Sequence, residues 1–268
     1  MRKLLFAVIP AVALLLTVLP AQAASDDEWR IIVAPYFFAM SADYDSTING
    51  KTANVDLKFK DILDDFDVLG GSLRIEAWKG DFGIILDGIY TSLDGDFSSR
   101  EGRFGQSAKV NAKLADTMID LLGAYRILKG TLFDRPLIID TWAGLRYHYL
   151  KQKVRLEVSG SGPLSGRAKR LGDSHDWVEP VIGGRVGWNF TEKWSLLTGA
   201  DMGGFGIGSA SDLTWSVTSL LNYQFSEHWS VAGGYRYFDM DYSRGSGKDE
   251  FGFDGSLDGI IIGVTWRN

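Results

Sequence analysis

The sequence predicts an all-β fold: an antiparallel, transmembrane up-and-down β-barrel of about ten strands, with one short amphipathic helix. Three patterns predict it. Apolar and polar residues alternate along most of the chain, short turns alternate with longer polar loops, and aromatic residues recur beside the short turns. Because successive side chains of a strand point to opposite faces, the alternation gives each strand one apolar and one polar face. Roughly eight or twelve strands remain open as alternatives, since bacterial barrels have even counts.

The first residues of the chain predict a secretory leader. A basic start precedes an apolar core, and Ala-Gln-Ala at 21–23 matches the small-residue cleavage pattern. Pro10, Pro20 and the short apolar run argue against a permanent anchor. We therefore expect residues 1–23 to be a signal peptide and residues 24–268 to form one outer-membrane barrel domain.

Composition excludes several classes of function. The chain has no cysteine, so it can form neither disulfides nor thiolate metal sites. Its net charge of −6 argues against binding to nucleic acid. After the leader, no run approaches the roughly 20 apolar residues that a membrane-spanning helix needs. No motif calls for a cofactor or a metal.

The strands follow the alternating runs. We expect them at 29–47, 69–79, 82–97, 107–128, 136–157, 168–190, 193–208, 212–225, 228–243 and 251–267. Short turns join them at one end, at 79–81, 191–193 and 226–228, with a somewhat longer one at 129–135. The connections at the other end are mostly longer and richer in Gly, Ser and charge. This asymmetry is typical of outer-membrane barrels, whose short turns are periplasmic.

Aromatic residues distinguish a membrane barrel from a soluble sandwich, which would show the same alternation. Many lie at strand ends beside the short turns or the termini, on the apolar face of their strands. Amphipathic rings settle at the level of the lipid headgroups, so we expect an aromatic girdle there. Its predicted members are Trp29, Phe190, Trp194, Phe225, Trp229 and Trp266.

Charged residues recur on the polar face of otherwise apolar strands. A charge facing lipid would cost several kcal/mol, so these residues are expected to point into the lumen. The predicted lumen charge cluster is Arg74, Glu76, Asp87, Asp120, Arg126, Asp140, Arg146, Arg185 and Arg236. Arg74 and Glu76 lie on the same face as Asp87 across the turn at 79–81, so we expect ion pairing among these three.

The region 41–67 departs from the strand pattern. Asn49-Gly50 is the strongest short signal for a hairpin turn. Phe59, Ile62, Leu63 and Phe66 follow at helical spacing and predict an amphipathic helix over 58–67. We expect a protruding hairpin and a helix at the mouth of the lumen.

Several segments together resemble a family of known proteins. They are "APYFFAM", "FKDILDDFD", "EAWKGDFGIILDGIY", "GYRYFDMDY" and "LDGIIIGVTWRN". They are similar to poorly characterised Gram-negative outer-membrane β-barrel proteins, grouped with the OmpA-like and OmpW-like small barrels. The resemblance implies the cell outer membrane and contact with its lipid. It also implies insertion by the β-barrel assembly machinery, and no activity. Such barrels usually end on an aromatic residue, whereas this chain ends Trp266-Arg267-Asn268.

A catalytic alternative rests on four polar residues. Asp94 and Asp96 form an aspartate pair, and Asp173 and His175 form an Asp–His pair, which together resemble the residues that activate water in omptin-type proteases. The Asp–His pair lies one loop earlier than in that family. Polar loops at a barrel rim contain such combinations by chance, so a barrel without catalysis is the favoured interpretation.

The favoured function is therefore an outer-membrane barrel with a structural role or a narrow passage for small solutes. One alternative is a surface-exposed omptin-like protease or hydrolase. The other is a barrel that binds a small apolar ligand, with the predicted helix as its lid. The sequence indicates no specific protein partner.

Overall fold

The computed structural model describes residues 28–57, 66–98, 107–159 and 168–268, and nearly all of them form β-strands. The strands are β1 (Arg30–Ile48), β2 (Lys51–Leu57), β3 (Phe66–Lys79), β4 (Phe82–Ser98), β5 (Ser107–Leu132), β6 (Arg135–Ser159), β7 (Ala168–Asn189), β8 (Trp194–Gly204), β9 (Leu213–Gln224), β10 (Trp229–Arg244) and β11 (Phe251–Arg267). A short 3-10 turn, Gly247–Asp249, precedes β11. Within these ranges, no helix is long and apolar enough to span a membrane.

All strands pair antiparallel in one continuous sheet. The order is β11-β10-β9-β8-β7-β6-β5-β4-β3-β1, and β1 pairs back onto β11, which closes a barrel of ten strands. β2 is an extension of this wall, because it pairs with the Ala42–Ile48 part of β1 while β3 pairs with the Arg30–Tyr36 part. The predicted all-β antiparallel barrel is confirmed.

The largest differences between the observed and the predicted strand boundaries are in two places. β5 and β6 continue through the predicted turn at 129–135 and meet at Phe133-Asp134, whose φ angles are 52° and 58°. Two successive positive φ values give the type of turn whose twist matches a hairpin, so both strands can extend to it. β8 ends at Gly204 and not at residue 208, because the chain takes positive φ at Gly204, Phe205 and Gly206.

The region 41–67 contains the predicted hairpin. Asn49 and Gly50, with φ of 54° and 67°, join β1 to β2. The predicted helix over 58–67 is not supported. Phe66 and Asp67 belong to β3 and pair with Gly95 and Asp94 of β4, whose backbone offers ladder hydrogen bonds that a helix could not use. Residues 58–65 lie outside the described part of the chain.

An apolar band covers the outer face of the wall. In β4, Phe82, Ile84, Leu86 and Tyr90 are exposed, whereas Ile85 is fully buried inside the barrel. The stretch from Phe82 to Tyr90 rises roughly 20 Å along the barrel axis, at about 3.3 Å per residue and a strand tilt of about 40°. That height is close to the roughly 25 Å apolar band of outer-membrane barrels.

The interior contains two layers of side chains. The layer nearer the short turns is charged and is described below. The layer nearer the long loops is an apolar cluster that includes Phe38, Met40, Tyr44, Met118, Leu150, Trp177, Phe238, Tyr242, Phe251 and Phe253.

Candidate functional site in the barrel lumen

Five charged residues on five adjacent strands lie opposite one another in the sheet. Arg74 of β3 pairs in register with Asp87 of β4, Asp87 with Asp120 of β5, Asp120 with Arg146 of β6, and Arg146 with Glu179 of β7. Residues directly opposite one another in a sheet share a face, so all five point to the same side of the wall, the lumen. We call this set the upper charge row.

Two arginines of the upper charge row are bound by carboxylates. Arg74 Nε donates to Glu76 Oε1 at 2.7 Å, and its Nη1 donates to Asp87 Oδ2 at 2.9 Å. Arg146 is 1% exposed and donates to both oxygens of Asp120, at 2.7 and 2.9 Å. The same side chain reaches Asp201 of β8 at 2.9 Å.

A second set, the lower charge row, lies nearer the short turns. It comprises Arg126, Asp140 and Arg185, which are register partners on β5, β6 and β7. Arg126 donates to both oxygens of Asp140, at 2.7 and 3.2 Å, and Arg185 Nε donates to Asp140 Oδ2 at 2.9 Å. Asp140 is 1% exposed, so its charge depends on these two arginines rather than on water.

Glu76 of β3 joins the two rows across the lumen. Arg185 donates to both of its oxygens at 2.6 Å, although β3 and β7 are separated along the wall by β4, β5 and β6. Trp78 Nε1 also donates to Glu76 Oε2 at 2.8 Å. The Arg126 guanidinium lies over the face of the Trp78 ring, 4.6 Å from the ring centroid, in a cation–π contact. These contacts link opposite walls of the barrel.

Arg236 of β10 differs from the other interior arginines. It is 6% exposed, and its Nε has no hydrogen-bond partner among the described residues. No described carboxylate forms an ion pair with it, although Asp116 interacts with it electrostatically at longer range. Its guanidinium lies 5.7 Å from the centroid of the Phe238 ring.

A cavity of about 490 Å³ lies within the charged layer. Arg236, Asp201 and Asp120 line its inner end, and its lining extends to Arg30 and Arg267 at the first and last positions of the barrel strands. The cavity therefore reaches the short-turn end of the barrel.

Aromatic contacts lie inside the barrel above this cavity. The Trp177 and Tyr242 rings, from β7 and β10, stack with centroids 3.7 Å apart. His175 of β7 lies 4.4 Å from the Phe251 ring of β11, between centroids. β8 and β9 end below this level, where Val181 pairs with Gly203 and Asp241 with Leu213, so these rings join β7 to β10 and β11 above the end of the β8–β9 pair. Buried apolar side chains from β1, β4, β5, β6, β7, β10 and β11 form one cluster with them inside the barrel.

A buried polar group lies beside the aromatic layer. His148 Nε2 is 3.1 Å from Glu179 Oε1, although the atoms are not aligned as a hydrogen bond, and both side chains are at most 1% exposed. Thr214 donates to Glu179 Oε1 at 2.6 Å, and Trp177 Nε1 donates to Ser211 at 2.9 Å. These hydrogen bonds connect β7 to Thr214 at the start of β9 and to Ser211, which lies just before β9.

The candidate catalytic residues lie toward the long-loop end. Asp173 and His175 are both in β7, and His175 Nε2 is 3.3 Å from Asp173 Oδ2. Asp94 and Asp96 are in β4, and β5 and β6 separate them from β7 along the wall. The side chains of Asp94 and Asp96 lie outside the described part of the structure, so the backbone alone locates them.

The predicted girdle residues lie at the short-turn ends of their strands. Trp29, Phe225 and Trp229 are about half exposed, and Trp194 is 38% exposed. Trp229 and Trp266 are register partners on β10 and β11. Phe190 packs beside Trp188, with ring centroids 5.7 Å apart.

In the described part of the chain, no group of three His, Asp or Glu side chains is arranged to hold a metal ion.

The aromatic layer was missed by the sequence prediction. Trp177, Tyr242 and Phe251 are apolar residues on the lumen face, and a rule that assigns apolar residues to lipid overlooks them. The alternation of side chains along β7 could have predicted it, because Trp177 is two residues from Glu179 and therefore lies on the same face of the strand.

Solved structures with a similar fold are outer-membrane proteins. The outer membrane protease OmpT from Escherichia coli matches 92% of this chain and 99% of its own, with a TM-score of 0.53 and 11% sequence identity. The chain has the fold of the outer-membrane β-barrels. The resemblance predicted from the sequence is thus confirmed at the level of the fold.

Other solved structures match less closely. The translocator domain of the autotransporter NalP from Neisseria meningitidis gives a TM-score of 0.43 at 14% identity, over 90% of this chain and 88% of its own. The outer membrane protein OprG from Pseudomonas aeruginosa gives 0.33 at 12% identity, over 90% and 96%. No model of a known protein family and no curated protein matches the sequence.

Proposed function

We propose that the protein is an outer-membrane barrel with a structural role, or at most a narrow passage for small solutes. A leader cleaved after Ala23 delivers the mature chain, 24–268, and the β-barrel assembly machinery inserts it with its short turns in the periplasm. The apolar band and the aromatic residues at its short-turn edge contact lipid. Both features support insertion in the membrane, and the short turns at one end support the orientation.

The observation that carries the proposal is the filled lumen. A buried apolar cluster that includes Trp177 and Tyr242 occupies its upper part, His148 of β6 lies 6.4 Å from Phe238 of β10 between ring centroids, and below them Arg185 and Glu76 join opposite walls. Barrels of about eight strands are just filled by side chains, whereas those of about sixteen leave an aqueous channel. A ten-stranded barrel with such cross-lumen contacts leaves little room for solute flow.

Planar-bilayer recording tests this function. We expect the purified, refolded barrel to give a small or intermittent conductance. A large and steady conductance, like that of a wide porin, would show that water fills the interior and would overturn the proposal.

Fractionation and N-terminal sequencing test the location. The protein should sediment with outer membranes and begin at Ala24. A chain that retains Met1, or a soluble periplasmic pool in unstressed cells, would contradict the assignment to the outer membrane.

A surface protease is the second candidate. The Asp173–His175 contact at 3.3 Å favours it, and OmpT is an outer membrane protease. If the site is catalytic, His175→Ala abolishes peptide cleavage while His228→Ala, a change in the turn between β9 and β10, leaves it intact. We expect no cleavage by the unmutated protein. Robust cleavage that only His175→Ala removes would establish the protease.

A further inference from the structure

The cavity at the short-turn end is lined by carboxylates that are all paired with arginines and by further arginines that are not paired with a described carboxylate. Its four acidic lining residues, Glu76, Asp87, Asp120 and Asp201, are each bound by Arg74, Arg146 or Arg185. Because these carboxylates are already paired, they cannot neutralise other arginines. The arginines that are not in these pairs therefore determine the electrostatic potential of the cavity.

Three lining arginines lack a carboxylate partner within the described part of the chain. Arg30 and Arg267 lie at the rim, and neither forms an ion pair with a described residue. Arg267 Nε instead donates to the Glu227 backbone carbonyl at 3.2 Å. Arg236 lies at the inner end and is more than nine-tenths buried, with its Nε unpartnered. Among the described residues, unpaired positive charge therefore lies at both the rim and the inner end of the cavity.

An unpaired, buried guanidinium is costly unless an anion or ordered water accompanies it. Guanidinium binds oxyanions well because its planar donors match carboxylate and phosphate oxygens in pairs. The volume of about 490 Å³ falls within the range of small-ligand sites and leaves space for an ion with several oxygens. The low-dielectric walls strengthen the attraction and favour entry past Arg30 and Arg267.

We propose that this cavity is a binding site for a small polyvalent oxyanion of the phosphate class. The anion enters from the short-turn end, is attracted by Arg30 and Arg267, and is held at the inner end by Arg236. Asn222 and Thr265 line the same cavity and add neutral hydrogen-bonding groups. This inference goes beyond the proposed function and does not depend on whether the lumen conducts.

Calorimetric titration with inorganic phosphate tests the proposal. The refolded barrel in non-ionic detergent is titrated at constant ionic strength maintained with chloride. We expect saturable binding of one phosphate per barrel. Arg236→Met should weaken phosphate binding by at least about tenfold, because losing a hydrogen bond to a charged group reduces affinity by more than about tenfold. Arg135→Met removes an exposed arginine that does not line the cavity and should leave binding unchanged.

Thermal unfolding gives a second readout. Without phosphate, Arg236→Met should be at least as stable as the unmutated barrel, because it removes an unpaired buried charge. Phosphate should then raise the melting temperature of the unmutated protein but not that of the variant. If Arg236→Met does not fold, the Arg30→Gln/Arg267→Gln double variant provides the test through a several-fold loss of affinity. No phosphate binding, binding unchanged in the variants, or an equal effect of added chloride would overturn the proposal.

Discussion

Glu76 is the residue on which the interior charges converge. It accepts hydrogen bonds from Arg74, Arg185 and Trp78, and it is 3% exposed. Removing one partner of a buried ion pair leaves the other charge without compensation, and this costs more than the pair itself contributes. Glu76 therefore matters to stability more than a surface carboxylate does.

We predict that Glu76→Gln lowers the free energy of unfolding by about 3–5 kcal/mol, since Arg185 and Arg74 each lose a charged acceptor. Urea unfolding followed by tryptophan fluorescence measures it. Asp81→Asn is the matched control, because Asp81 forms an ion pair with Lys129 in which both side chains are more than 40% exposed. It should cost no more than about 1 kcal/mol. Equal losses in the two variants would contradict the assigned role of Glu76.

Asp241 shows how burial and like charges affect a single carboxyl group at the long-loop end. It lies near the end of β10, beyond the apolar band. Partial burial raises its pKa, and so do the nearby Asp254, Asp212 and Asp239. Because the pKa of Asp241 is higher in the folded than in the unfolded protein, its contribution to stability is fully present below the unfolded pKa of about 3.9. This contribution is lost as the pH rises through the folded-state pKa.

We predict that Asp241→Asn stabilises the barrel relative to the unmutated protein at pH 7 and that this advantage shrinks as the pH falls toward about 4. The midpoint of urea unfolding at the two pH values measures it. Glu192→Gln, in the turn between β7 and β8, serves as the control. An advantage of Asp241→Asn that stays constant with pH would exclude the electrostatic explanation.

Among the elements, the β1–β2 hairpin depends on the identity of its turn residues. Gly50 has a φ of 67°, and a Cβ atom added there would collide with the Gly247 carbonyl oxygen. Its backbone N–H donates to the Glu250 carbonyl at 3.2 Å. The hairpin tip therefore packs directly on the short 3-10 turn before β11.

We predict that Gly50→Ala destabilises this hairpin by at least about 1–2 kcal/mol, the cost of a left-handed conformation for an L-residue. Hydrogen exchange of the β2 amides should accelerate. Gly71→Ala in β3 is the control, because a Cβ atom there meets nothing within 4 Å and its φ is not positive. Similar exchange in the two variants would show that the turn tolerates a side chain.

Local patterns predicted the strands well, because alternation and turn residues are properties of neighbouring positions. Asn49-Gly50 specified its turn, whereas Phe133-Asp134 was not recognised because neither residue is a glycine. The Arg185–Glu76 contact could not be predicted, since it depends on how a closed sheet curves until β7 faces β3. The same curvature brings Trp177 onto Tyr242.

At the scale of the whole molecule, the interior combines an apolar closure toward the long loops with a charged cavity at the short-turn end. A layer of stacked rings excludes water more completely than paired charges do, because charges retain waters at their unused hydrogen-bonding positions. We therefore assign the narrowest point of the described lumen to the aromatic layer.

We predict that the double variant Trp177→Ala/Tyr242→Ala conducts ions more steadily than the unmutated barrel. It should also lose roughly 3–5 kcal/mol of stability for each buried ring removed. Planar-bilayer recording and urea unfolding measure the two effects. Trp188→Ala on the outer face is the control and should leave conductance unchanged. Unchanged conductance in the double variant would place the restriction elsewhere.

The upper charge row has a consequence for how the barrel assembles. If one strand slipped by one residue, its charge would turn outward into lipid, at roughly 2–4 kcal/mol for an arginine at the bilayer midplane. If it slipped by two, the charge would stay inside but move about 7 Å from its register partner, so the directly opposed pairing of the row would be lost. Only the native alignment avoids both costs. The charges of the lumen therefore discriminate among alternative strand alignments during insertion.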